Sequence, residues 1–190
     1  MHKPAFLLSV ATLLCMSALS GCSVSTHENG KKDDVDVRTP FGSVSVHAGQ
    51  TDIKDTGLAL YPGARVKQDS DDKHDEAKVN VSSSFFGAKV VVLKFESDDS
   101  PDKVLAFYRK DMGKYGKVVD CTGDFNLNFH AHRDKDAPVS CDGHDSGHEY
   151  KEELKVGTEN NQRVCAVKPR GNGSEFVLVY ARAWEGQGTM

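Results

Sequence analysis

Between Phe129 and Tyr150 the chain reads FHAHRDKDAPVSCDGHDSGHEY, which carries four of the protein's eight histidines and one cysteine. Imidazole nitrogen is a ligand for zinc and copper. His130 and His132 stand two residues apart, so on a strand both rings share one face and can reach one ion. His144 and His148 lie beyond Cys141 and could add nitrogen if the loop folds back. A closed structural zinc site takes four ligands, and a catalytic one takes three with an open position. The third ligand here would have to come from His144, His148 or a carboxylate. The intervening residues Asp142, Gly143, Asp145, Ser146 and Gly147 suit a polar loop, and ordering such a loop weakens binding. No cofactor is therefore expected. The alternative is zinc or copper held in the micromolar range and lost as the imidazoles protonate below pH ~6.5.

Other chemistry is hard to find. Ser146 sits in GHDSGH, which is not the G-x-S-x-G elbow of a nucleophilic serine. No glycine-rich phosphate loop and no C-x-x-C pair occurs. The acidic run DSDDKHDE lacks the glycine and terminal glutamate that an EF-hand loop places at fixed spacing, so it reads as a surface loop. With a formal net charge of −4 and no long basic block, nucleic acid is not an expected partner.

The five cysteines divide by position. Cys15 lies within an apolar run from Ala5 to Leu19 that follows Lys3, the pattern of an export signal. The run is short for a membrane span, which needs ~20 mostly apolar residues. It ends in Leu19-Ser20-Gly21-Cys22, which resembles the lipobox of bacterial lipoproteins. The resemblance implies cleavage before Cys22, a diacylglycerol on its sulfur and a third acyl chain on its freed amine. Two or more chains anchor a protein stably to a membrane. Ser23 follows in place of the aspartate that commonly retains such lipoproteins in the inner membrane, so the outer membrane facing the periplasm is favoured if the cell has two membranes.

Three cysteines then remain for an oxidising compartment, enough for one bridge and one leftover. Cys165, in VCAV, fits a buried strand position. Cys121 and Cys141 flank the polar excursion 122–140 and are the expected pair. Cys121 with Cys165, or no bridge, are the alternatives.

The elements that would position these groups follow from periodicity. Residues 22–34 are polar and read as a flexible tether, leaving 1–21 as the signal peptide. Val35, Val37, Val44 and Val46 alternate with polar residues around Thr39-Pro40-Phe41-Gly42, so 35–56 forms a short β-hairpin region. LYPGA, from Leu60 to Ala64, is an extended segment that breaks into a turn. KVNVSSS and AKVVVLKFES flank Phe85-Phe86-Gly87 as a second hairpin. Ser100 then caps a helix with Pro101 in its first turn, and Val104, Leu105, Phe107, Tyr108 and Met112 form its apolar stripe. If Phe107 is fully buried, Phe107→Ala should cost about 3 to 5 kcal/mol. GKVVDC, FNLNFHAH, EELKVG, QRVCAVK and EFVLVYARA read as later strands.

The expected fold is α+β, a mainly antiparallel sheet with one long helix on one face, in a single domain over 57–186 followed by a disordered tail at 187–190. In this order the YPGA turn and the SPDKVLAFYRK helix resemble uncharacterised bacterial envelope lipoproteins, a resemblance running from Leu58 to Arg182 that brings no activity with it. FHAH followed by Cys141 is also similar to the first metal-binding strand of copper-zinc superoxide dismutases. That would make His130 and His132 copper ligands and His148 a bridging one, but no histidine follows His148 to complete the set. Two function classes remain. One is a non-enzymatic binding or structural module on a lipid anchor in the cell envelope, and the other is a zinc- or copper-binding protein of the same compartment.

Overall fold

A computed structural model describes residues 23–28, 33–39, 42–48, 52–67, 76–83, 85–122, 136–141, 150 and 152–185. The strands are β1 (Ser23–Glu28), β2 (Asp33–Thr39), β3 (Gly42–Ala48), β4 (Arg65–Val66), β5 (Glu76–Ser83), β6 (Phe86–Ser97), β7 (Val119–Thr122), β8 (Glu152–Thr158), β9 (Asn161–Arg170) and β10 (Gly173–Glu185). They form one antiparallel sheet in the order β1-β2-β3-β5-β6-β10-β9-β8-β7, with β4 pairing the far end of β6. Both predicted hairpins are present. Thr39 faces Gly42 across the first turn, and Ser82 faces Gly87 across the second. The first is not an appendage, because β3 pairs along its length with β5.

Among the described residues the one α-helix, α1 (Pro101–Met112), packs on a single face of this sheet. Its N-cap is Ser100, as expected, but the serine hydroxyl makes no capping bond. The carbonyl of Ser100 instead accepts from the amides of Lys103 and Val104. Gly113 caps the C-terminus, a 3-10 turn follows, and Gly116 stops it at φ 135°, a conformation other residues rarely adopt.

Alternation along the strands builds the core under α1. Val91, Leu93 and Phe95 of β6 meet Cys165 and Val167 of β9, Phe176 and Leu178 of β10, and Val104, Tyr108 and Met112 of the helix. Leu58 and Tyr61, from the segment before β4, close one side. Phe107 differs from expectation. It is only partly buried and lies edge-on to Tyr61, 5.2 Å between centroids, whereas Tyr108 is the wholly buried ring. Val104, Leu105, Tyr108 and Met112 form the buried stripe, and Phe107 lies at its margin. Phe107→Ala is accordingly expected to cost about 2 kcal/mol, while Lys110→Ala should stay within about 0.5 kcal/mol. Urea unfolding of both variants checks this, and equal midpoints would overturn it.

Ser23–Glu28, read as part of a tether, is instead an edge strand in register with β2, with Val24 opposite Val37. Ser, Val, Ser and Thr in alternation satisfy a strand as readily as a linker, and the partner decides between them. A compact fastening secures the segment before β4. Arg163 donates to the Thr56 carbonyl at 2.8 Å and lies 3.6 Å from the centroid of the Tyr115 ring, while Asp55 accepts from Lys78 and Lys89.

Candidate functional site

The sheet has a second buried face, and the predicted site residues that can be placed lie there. Register puts Cys121, Glu153, Ala166 and Val177 side by side, and Lys155, Val164 and Val179 in the neighbouring row, all pointing away from α1. Val164, Ala166, Val177 and Val179 are buried together, with Val90, Val92 and Tyr150 packed against them. Cys121 and Cys141 stand at disulfide distance, Sγ to Sγ 2.05 Å with Cα atoms 5.4 Å apart, which ties the described segment 136–141 to β7. Before the bridge, Pro138 pairs with Thr158 and the amide of Val139 donates to the Gly157 carbonyl. Cys165 is the remaining described cysteine. It is fully buried on the helix side, where burial pushes its thiol well up and leaves it unsuited to nucleophilic work.

Two buried charge clusters lie on the disulfide face, and the sequence reading missed both. Lys155 pairs with Glu153 at 2.8 Å, both side chains almost wholly buried. Burial pushes the Glu153 carboxyl up more than the bond and charge of Lys155 bring it down. Glu175 accepts from the Tyr150 hydroxyl at 2.7 Å and is flanked by Lys168 at 3.2 Å and Lys67 at 3.3 Å. Burial alone would raise its carboxyl, but the bonds from Tyr150 and Lys168 and the charges of both lysines outweigh that and leave it lowered. Glu175 thus ties together β10, β9, the residue after β4 and Tyr150, where the chain returns from the excursion. The turn PRGNGS carried the signal, since a hairpin closed there sets Lys168 directly opposite Glu175.

The remaining candidates, Cys22, His130, His132, His144 and His148, lie outside the described residues. Among the described residues no group of three or more His, Cys, Asp or Glu side chains is placed to hold a metal. Nor, among them, is any helix long and apolar enough to cross a membrane. Four buried polar atoms there lack a hydrogen-bond partner: the Tyr108 hydroxyl, Glu153 Oε2, Asn160 Oδ1 and Ser174 Oγ. They belong to four different elements of the fold. What the described side chains do chemically is fasten segments to a sheet. Compared with known proteins, the chain matches no family model, no curated protein and no solved structure.

Proposed function

We propose that the protein is a lipoprotein of the cell envelope, acylated at Cys22 and anchored to a membrane, with a folded domain that acts as a binding or structural module. The observation that carries this reading is LSGC at the end of an apolar run that follows a basic start. Support comes from the cysteines that follow. Cys121 and Cys141 stand as a disulfide pair, and such pairs persist in oxidising compartments outside the cytosol. With Ser23 after the cysteine, the favoured location is the outer membrane of a two-membrane cell. Cys22→Ser is expected to abolish incorporation of labelled fatty acid and leave a slower-migrating, uncleaved precursor. A mature chain that starts elsewhere and takes up no label would end the proposal.

A further inference from the structure

We propose that one end of the sheet, where Phe85, Phe86 and Trp184 are exposed, is a lipid-facing surface that seats at the bilayer interface. This rests on acylation of Cys22, because it concerns what the domain does once anchored.

The pairing register gathers distant parts of the chain at this end. Ser23, one peptide bond from Cys22, faces Arg38 near the end of β2. Thr39 faces Gly42, Gly42 faces Ser83, Ser82 faces Gly87, and Gly87 faces Trp184. The start of β1, the β2–β3 and β5–β6 turns and the end of β10 therefore lie along one rim. From β1 to β10 this rim spans about 24 Å, five strand spacings. Acyl chains on Cys22 would leave from the same rim.

Along it stand the largest exposed rings of the described chain. Phe85 is 81% exposed, Trp184 40% and Phe86 37%. Leu60 and Val66 are also exposed, but they are single aliphatic side chains far from the rim, of the kind any soluble surface carries. At the opposite end of the sheet Arg65 pairs with Asp98 and Arg170 with Glu96, and among the described residues no large ring is exposed there. Only the Cys22 end combines aromatic exposure with the anchor's point of departure.

Three details fit an interface rather than water or hydrocarbon. Among the described residues of the turn, the amides of Phe85 and Phe86 donate to Ser83 Oγ, which donates to the Phe86 carbonyl at 3.0 Å. Little desolvation cost then opposes its leaving water. The Trp184 ring lies across Gly87 where any Cβ would collide with it, so the indole is braced against the sheet with one side outward. Arg182 stands 5.8 Å from that ring, where a guanidinium can reach headgroups while the indole sits at the boundary. Strand backbone at the rim limits insertion to this depth.

Trp184 is the protein's one tryptophan and reports on the surface directly. The protein, purified as cells make it, is reconstituted into phosphatidylethanolamine–phosphatidylglycerol vesicles with brominated acyl chains, and its fatty-acid content is read separately by mass spectrometry. Trp184 emission is expected to shift to shorter wavelength and to be quenched by bromine near the interface. Phe85→Ser/Phe86→Ser is expected to lose most of that quenching, and Phe85→Ser alone, which removes a ring 81% exposed and should leave the melting temperature unchanged, is expected to lose part of it. An acylated protein that floats with vesicles while Trp184 stays unquenched overturns this surface and leaves the anchor standing. A protein without fatty acid overturns the anchor. The surface then stands if Trp184 is still quenched in a way that needs both phenylalanines, and falls if it is not. Self-association that the double substitution abolishes, with Trp184 unquenched by lipid, would assign the rim to a second copy of the chain and overturn the lipid assignment.

Discussion

Phe176→Ala is expected to lower the unfolding free energy by about 3 to 5 kcal/mol, a large fraction of the 5 to 15 kcal/mol typical of a domain. Phe176 is fully buried where three layers of the core meet. It stacks on Phe95 at 5.4 Å and lies 5.7 Å from Tyr108 of α1 and 6.2 Å from Tyr61. Removing the ring subtracts apolar burial and leaves a cavity lined by strand, helix and loop, whose side chains cannot collapse together. Phe85→Ala is the matched control. The same atoms leave a ring that is 81% exposed, and the cost should stay within about 0.5 kcal/mol. Urea titration with a common slope separates the two. A Phe176→Ala midpoint close to wild type would mean that α1 does not pack as described.

How much of this was legible beforehand depends on which physical signal each part carries. The hairpins were legible because alternation and turn residues agree, as in Val44 and Val46 before the sheet partner and Phe85-Phe86-Gly87 at the turn. The helix was legible from Pro101 and the apolar stripe, but which of its two adjacent rings is wholly buried was not, since Phe107 and Tyr108 both fit the helical spacing. The edge strand β1 escaped because a short polar segment becomes a strand only when a neighbour supplies hydrogen bonds, and the pairing of Val24 with Val37 leaves no mark on local composition. The charge clusters escaped for a related reason. Lysine and glutamate are abundant and nearly always solvated, so only cross-strand register distinguishes Lys168 and Glu175 from surface residues. The cysteine pairing was legible from position, since Cys121 and Cys141 bracket a polar excursion while Cys165 lies inside an apolar strand. The histidine reading concerns residues outside those described and stays an expectation.

Cys121→Ser/Cys141→Ser is expected to destabilise the domain by about 3 kcal/mol, the chain-entropy value for a bridge closing a loop of this size. The bridge spans 20 residues and joins β7, at the edge of the sheet, to the strand-like pairing of Pro138 with Thr158. Without it the excursion remains attached through the Val139 amide, the buried Val139 side chain and the Tyr150–Glu175 bond, so folding should survive with a lower melting temperature. Cys165→Ser tests a different quantity, since it places a hydroxyl at a fully buried position and should destabilise without altering the bridge. Thiol labelling of the native wild type should find no accessible cysteine among these three, with Cys165 reacting only on unfolding. Non-reducing peptide mapping should recover Cys121 linked to Cys141. If reduction leaves the melting temperature unchanged while labelling reaches both Cys121 and Cys141, the bridge contributes nothing to the fold, and the segment is held by the pairing of Pro138 and Val139 with β8 and by the Tyr150–Glu175 bond.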